Sequence, residues 1–173
     1  ITITNPNVFT AKRWDPSTGL GGVLVLVARD GIFGDGKLTA KGRGFRGGAG
    51  RGSDLPAWAG ESPTGATVIQ TSANGSGGGG GDGYNSGDGR KAGAGGGYGT
   101  AGTNGGSGAG SNGLALGGNT DGDEDLEVAL FGGAGGGPGA GGGETFSDGA
   151  DSGGYILLIA PYIDPDLVVE CGG

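Results

Sequence analysis

The sequence predicts a mostly β protein in which a small β-sheet or sandwich anchors a bundle of polyglycine-II helices, with no α-helix. Glycine supplies 51 of the 173 residues, it recurs at every third position, and short β-branched segments lie at both ends of the glycine-rich zone. Apolar residues nowhere recur at helical spacing over about ten residues. We expect a single domain with three parts: a β-rich part at 1–72, a polyglycine-II block at 73–152 and a C-terminal β repeat at 153–173.

The glycines of the central block have a period of three. In the register that runs 75, 78, 81 and onward to 108, ten of twelve residues are Gly, whereas the adjacent registers hold small and polar residues. Three residues per turn is the period of a polyproline-II-type helix, which has no internal hydrogen bonds. Glycine lets such helices approach closely enough to bond sideways through their peptide groups. The same spacing recurs at Gly44, Gly47 and Gly50, and at Gly133, Gly136, Gly139 and Gly142.

Two other structures are compatible with a glycine-rich tract. Gly/Ser-rich tracts are commonly flexible linkers, but a linker gives no reason to sort glycine, small and polar residues into three registers. Collagen also requires glycine at every third position, together with abundant proline. Residues 74–113 contain no proline, so collagen does not fit.

Two apolar segments look like copies of each other. GGVLVLVA at 21–28 matches GGYILLIA at 153–160, and both have the composition of buried strands. Each is followed by an isolated isoleucine (Ile32 or Ile163) and by a second candidate strand that ends in glycine, at 37–42 or 167–172. The sequence therefore predicts an internal repeat of about twenty residues. Further candidate strands are 1–4, 66–71 and 126–131.

The glycine registers and the flanking strands together resemble glycine-rich surface and fibre proteins of bacteria and their viruses. Among these are the polyglycine-sandwich tip adhesins of T-even-type phage tail fibres, and the resemblance covers about residues 74–173. A glycine-rich antifreeze protein is similar in its polyglycine-II bundle only. The resemblance implies an extracellular protein located at a cell surface or on a virion.

Composition excludes several kinds of chemistry. The chain has no His, no Met and one Cys, which removes histidine general bases, Ser-His-Asp triads and nearly all zinc sites. We therefore expect no enzyme and no cofactor. Cys171 has no intrachain partner for a disulfide, so it is free or pairs with another chain. No apolar run approaches the roughly 20 residues that span a bilayer, so we expect no membrane insertion.

Charge is distributed unevenly along the chain. Residues 1–60 carry a net charge of +4 and residues 61–173 carry −12. The net charge of −8 should repel nucleic acid, so we expect no nucleic-acid partner. A basic front and an acidic back suit head-to-tail association between copies. A solvated surface that is merely uneven in charge is the alternative.

Three motifs have plainer explanations than the sites they resemble. GIFGDGK at 31–37 fits a phosphate loop, but Leu38 stands where a Ser or Thr would hold Mg²⁺, so a turn between strands explains it better. GRGFRGG at 42–48 resembles an RNA-binding segment, which the acidic remainder of the chain opposes. Asp121, Asp123 and Asp125 form a weak candidate calcium site. That segment lacks the EF-hand glycine and final glutamate, which favours a solvated acidic loop.

The function predicted from the sequence is a non-enzymatic structural protein, a subunit of a fibre that associates head to tail with other copies of itself. The alternating segment Ile1, Thr2, Ile3 and Thr4 is the candidate assembly site, as a strand donated to a neighbour. The alternative is a phage receptor-binding tip that contacts a cell-surface receptor or glycan through exposed aromatic and basic side chains. Its candidate residues are Tyr84, Arg90, Lys91 and Tyr98. Antifreeze activity is a third possibility.

Overall fold

The structure is a computed structural model. It describes residues 1–50, 57–63, 70, 72–80, 92–98, 100–106, 115–120, 134–138 and 147–173. This part of the chain contains no α-helix, which confirms that prediction for the described residues. Its strands are β1 (Val8–Thr10), β2 (Val23–Val27), β3 (Lys37–Thr39), β4 (Tyr155–Ile159) and β5 (Val168–Glu170).

The strands form two small parallel sheets. One sheet has the order β1-β3-β5 and the other pairs β2 with β4. Isolated parallel bridges join Thr2 to Phe33 and Ile32 to Ile163. Since successive segments of the chain lie side by side in the same direction, the fold is a stack of three rungs. The first rung is residues 1–12, the second is 23–41 and the third is 155–171.

The predicted internal repeat is the basis of this stack. Its two copies pair with each other, with Val23 opposite Tyr155 and Val27 opposite Ile159. The second strands also pair, with Lys37 opposite Val168, one residue away from the alignment suggested by the sequence. The long glycine-rich segment therefore leaves the stack after the second rung and returns to it at the third.

The first rung corrects the expected strand at residues 1–4. This segment makes only the single bridge of Thr2 with Phe33, and the regular strand lies at β1, which was not predicted. The sequences FTAK at 9–12 and LTAK at 38–41 occupy equivalent positions, because Phe9 pairs with Leu38. The chain thus has a third, shorter copy of the repeat.

The hydrophobic core lies between the two sheets. Ile32 and Leu38 of the second rung are fully buried, and Ile3 is 1% exposed. Half-buried side chains of β2 and β4 pack on them, namely Leu24, Leu26, Ile156 and Leu158. The second rung supplies the best-buried side chains because it has a neighbour on each side.

The expectation that β2 is a buried strand is wrong for one of its faces. Val23, Val25 and Val27 are 49%, 50% and 65% exposed, while Leu24 and Leu26 face the core. Successive side chains of a strand point to opposite faces. Among the described residues nothing covers the outer face, although parallel sheets usually have both faces covered.

A ladder of carboxylates links the turns of the three rungs. The Asn5 N–H donates to Asp35 Oδ1 at 2.9 Å, and the Gly34 N–H donates to Asp164 Oδ2 at 3.0 Å. The first and second rungs therefore each donate one turn amide to an aspartate of the following rung. In the third rung the position equivalent to Gly34 is Pro165, which has no N–H. The ladder thus ends without an unpaired donor.

We expect Asp164 to make stability depend on acid pH. The hydrogen bonds from Gly34 and then from the Asp166 N–H lower the pKa of Asp164 below its usual 3.8. A carboxylate with a lowered folded-state pKa stabilises the protein above its unfolded-state pKa, and this contribution is lost as the pH falls through the folded-state value. Thermal unfolding of Asp164→Asn should show a lower Tm than wild type at pH 7, and the difference should shrink as the pH falls below 3.8. Parallel pH curves for the two proteins would contradict this role.

The glycine-rich segments are joined by backbone hydrogen bonds that point in several directions. The three successive N–H groups of 78–80 donate to three different segments, through the carbonyl oxygens of Gly135, Leu116 and Gln70. The N–H groups of 135–137 do the same, with acceptors on Glu61, Ala150 and Ala94. We call this network of described glycine-rich segments the glycine lattice. It differs from a sheet, where alternate amides point to only two neighbours.

The glycine lattice leaves no room for side chains at its contacts. A Cβ built on Gly78, Gly93, Gly96, Gly102 or Gly105 would lie 2.0 to 2.2 Å from a backbone carbonyl oxygen of another segment. All five belong to the register in which ten of twelve residues are Gly. The other registers are mixed: a Cβ on Gly106 would meet nothing within 4 Å, but a Cβ on Gly77, Gly80 or Gly97 would lie 2.2 to 2.6 Å from a backbone oxygen. All five described residues of the glycine row named above are thus in direct backbone-to-backbone contact, and some glycines outside the row are as well.

Candidate assembly surface

The stack of rungs is open at both ends. Among the described residues, β1 and β5 each pair with β3 on one side only, so in this part of the chain each has a free edge. Phe9, Leu38 and Val169 lie opposite one another across the three strands. Leu38 is fully buried, but Phe9 is 44% and Val169 is 46% exposed. The two outer members of this row therefore continue the core to the surface.

More apolar side chains are exposed around these ends. Phe33 and Tyr162 stack at 5.4 Å between ring centroids and are 39% and 48% exposed. Other large apolar side chains at the two ends that are more than 40% exposed are Ile1, Val8, Ile163 and Val168. Contiguous apolar surface of this kind commonly marks an interaction site.

The hydrogen bonds to β3 determine which residues of β1 and β5 point their peptide groups toward the free edges. The Lys37 N–H donates to the Asn7 carbonyl and the Ala11 N–H to the Thr39 carbonyl. The odd-numbered residues of the first rung therefore bond to β3, and the peptide groups of Val8 and Thr10 point outward. On the other side of β3, Val168 and Glu170 bond inward through the Gly36 carbonyl and the Ala40 N–H. The peptide group of Val169 points outward, whereas the Cys171 carbonyl oxygen lies against Gly153 of the same chain.

The two ends differ in charge. Residues 1–14 carry Lys12 and Arg13 and no acid, whereas residues 155–173 carry Asp164, Asp166 and Glu170 and no Lys or Arg. Within the chain, Lys37 pairs with Glu170 at 2.7 Å, and Arg13 pairs with Asp151. The first-rung end is therefore basic and the third-rung end is acidic.

An ion pair between the buried Glu61 and the partly exposed Arg46 ties the glycine lattice to the segment after the second rung. Glu61 is 1% exposed and accepts from Arg46 Nη2 at 2.8 Å and from the Arg46 N–H at 3.0 Å. The hydrogen bond that Arg46 donates to Glu61 raises the pKa of Arg46 further above its ordinary value. Backbone bonds extend this link, since the Gly135 N–H donates to the Glu61 carbonyl. A cleft of about 200 Å³ next to the pair is lined by Arg46, Gly47, Ala49 and Trp58.

The predicted assembly segment lies against its own chain. The Ile1 ammonium donates to the Gly31 carbonyl at 3.0 Å, and the Ile3 N–H donates to the Phe33 carbonyl at 2.8 Å. Thr2 and Thr4 are exposed on either side of the buried Ile3. Exchange of this segment between copies stays a prediction.

The other predicted site residues lie mostly outside the described residues. Tyr98 is half-buried, and its N–H donates to the Thr100 carbonyl. Tyr84, Arg90 and Lys91 are not among the described residues, so the receptor-binding surface stays a prediction. Asp121, Asp123 and Asp125 also fall outside them. The described residues contain no cluster of side chains suited to hold a metal ion.

The sequence interpretation missed the open ends formed by β1 and β5. The repeated Thr-Ala-Lys at 10–12 and 39–41 was the signal that could have placed β1 beside β3. Cys171 follows β5 and is an exposed free thiol. Partial burial raises the pKa of this thiol, and a hydrogen bond from the Ile156 backbone partly opposes the shift.

Neither a membrane helix nor a known relative identifies this surface. Among the described residues there is no helix long and apolar enough to cross a bilayer. No protein-family model, curated protein or solved structure matches the chain.

Proposed function

We propose that this chain is a non-enzymatic, extracellular structural protein that associates with copies of itself as the subunit of a fibre at a cell surface or on a virion. The observation that carries the proposal is the row of Phe9, Leu38 and Val169, buried at its centre and open at both ends. In repeat proteins an uncapped terminal repeat exposes the face that a neighbour would cover. A further copy at either end would bury that face.

The small size of the core supports the same proposal. Leu, Ile, Val and Phe together make up 32 of the 173 residues, and several of them are exposed at the ends of the stack. Ordering glycine costs more backbone entropy than ordering any other residue. Association would offset part of that cost, because binding to the folded form stabilises it.

We further propose that the glycine lattice is a bundle of polyglycine-II helices joined to a small β-sandwich of the three rungs. Three successive N–H groups that point to three different neighbours are what a helix with three residues per turn would present. The described lattice glycines from 77 onward are also absent from the set with positive φ, in keeping with a helix whose φ is about −75°. Both sheets contribute side chains to one core, which supports the sandwich.

The proposed function predicts concentration-dependent assembly. Wild-type protein should form polymers in sedimentation velocity and filaments in negative-stain electron microscopy. Phe9→Lys should raise the concentration needed for assembly more than tenfold, which corresponds to a loss of about 1.4 kcal/mol, because it places a charge where an apolar side chain would be buried.

Val25→Lys is the matched control, because Val25 is 50% exposed on the outer face of β2 and away from the two ends. It should assemble as wild type does. A wild-type protein that stays monomeric up to its solubility limit would rule out the fibre.

A further inference from the structure

We propose, on the basis of the function proposed above, that copies join in one polarity and one register. β5 of one copy pairs in parallel with β1 of the next, with Glu170 opposite Thr10 and Val169 opposite Phe9. This continues the pairing already present on both sides of β3, where Thr39 is opposite Thr10 on one side and Glu170 on the other.

The peptide groups that point outward at the two free edges match in this register. In a parallel pair, a residue whose peptide group points at the neighbouring strand forms two hydrogen bonds with it. Its N–H donates to the residue before the one opposite, and its carbonyl accepts from the residue after the one opposite. Val8 and Thr10 point outward on one edge, and Val169 points outward on the other. With Thr10 opposite Glu170, the Thr10 N–H meets the Val169 carbonyl, and the Val169 N–H meets the Val8 carbonyl. If the two strands were shifted by one residue relative to each other, the outward peptide groups of one strand would face peptide groups of the other strand that already bond to β3.

The side chains match in the same register. Phe9 would lie on Val169 of the next copy, in the row that contains the buried Leu38 within each chain. Val8 would lie opposite Val168, and both are about half-exposed, at 52% and 46%. Apolar side chains that face each other across neighbouring strands stabilise a sheet.

Charge selects the polarity. The head-to-tail contact joins the basic end that carries Lys12 to the acidic end that carries Asp164 and Asp166; Arg13 and Glu170 are already paired within the chain, with Asp151 and Lys37. A β1–β1 contact would bring two basic ends together, and a β5–β5 contact would bring two acidic ends together. Juxtaposed like charges are unfavourable and suppress incorrect pairing.

Disulfide trapping tests this register. In a Cys171→Ser background, Thr10→Cys combined with Glu170→Cys should give a ladder of covalent polymers on oxidation. In-register strands lie about 4.8 Å apart, within the Cα range of a disulfide. Within one chain β3 separates the two positions by about twice that spacing, so the new thiols cannot pair internally. Loss of the Lys37–Glu170 pair should cost little, because both side chains are partly exposed.

Two controls separate the alternatives. In the proposed register, Val8→Cys and Glu170→Cys would lie two residues apart along the strands, about 6–7 Å, so this pair should give no ladder. An antiparallel contact with Phe9 opposite Val169 would instead place Val8 opposite Glu170 and give one. Thr10→Cys or Glu170→Cys alone should give no dimers, while an equimolar mixture of these two variants should give dimers. A ladder from the Val8 pair, or dimers from either single variant, would overturn the proposed polarity or register.

Hydrogen exchange of wild-type protein gives a second readout that needs no substitution. On assembly, the amides of Val8 and Thr10 should become protected, while the Val25 amide at the free edge of β2 should still exchange. If polymers form but these amides stay unprotected and no ladder appears, this interface is wrong and the fibre function stands. If the wild type forms no polymers at all, the proposed function itself fails.

Discussion

Gly137→Ala should unfold the glycine lattice. A Cβ at this position would lie 1.9 Å from the Gly79 carbonyl oxygen, and a backbone atom cannot rotate aside as a side chain can. Overpacking of an interior typically costs about 1–3 kcal/mol. We expect the free energy of unfolding to fall by roughly the upper end of that range or more, because the clash also breaks the hydrogen bond from the Gly137 N–H to the Ala94 carbonyl.

The adjacent residue supplies the control for this experiment. A Cβ on Gly136 would meet no atom nearer than 3.6 Å, an ordinary contact distance. Gly136→Ala should therefore leave stability within about 0.5 kcal/mol of wild type, or increase it slightly by restricting the unfolded chain. Chemical denaturation followed by circular dichroism would compare the two variants. Equal losses at both positions would mean that the lattice does not exclude side chains site by site.

Leu38→Ala should destabilise the stack of rungs. Leu38 is fully buried in the central strand of the three-stranded sheet and belongs to the single core cluster found among the described residues. Truncation of a buried leucine to alanine typically costs about 2–5 kcal/mol, from lost burial and the cavity left behind. With so few buried apolar side chains, we expect the three-rung stack to lose cooperative unfolding at room temperature, as measured by near-UV circular dichroism.

Val25→Ala is the matched control for Leu38. It removes an apolar side chain from β2, but from its exposed outer face, where Val25 is 50% accessible. We expect a change within about 0.5 kcal/mol, as for most surface substitutions. If Leu38→Ala were as mild as Val25→Ala, the stack would not depend on its core.

Local patterns in the sequence predicted the strands but not their partners. The β-branched runs located β2 and β4, and the matching segments after them located β3 and β5. The sequence did not predict that the pairing is parallel, because that depends on the return of a chain segment more than a hundred residues later. β1 was missed because it is only three residues long and follows a polar turn.

The three-residue period of glycine did not identify the glycines with the closest contacts in every part of the lattice. At Gly78, Gly93 and Gly96 the predicted glycine row contacts other segments, but Gly77 and Gly80 of the adjacent row do so as well. At 135–137, where all three residues are Gly, the tight positions are Gly135 and Gly137 rather than the predicted Gly136. A register can be assigned only where a larger residue occupies one of the other rows.

Local sequence patterns also did not predict the burial of Glu61 or the exposure of the outer face of β2. Glu61 is a single acidic residue with no distinctive neighbours in sequence, and its burial depends on Arg46 fifteen residues away. A continuous apolar run such as that of β2 indicates burial on both faces. Its outer face is exposed because no described segment lies over it.

An interior built from peptide groups should respond to temperature differently from an interior built from hydrocarbon. Unfolding raises the heat capacity by about 0.45 cal/K/mol for each Å² of apolar surface exposed, and polar surface lowers it by about 0.26. The segments around Gly78, Gly96 and Gly137 would expose mostly amide and carbonyl groups to water. Calorimetry of this protein should therefore give a small heat-capacity increment per residue, a flat stability curve, and a native state that is little weakened by cold.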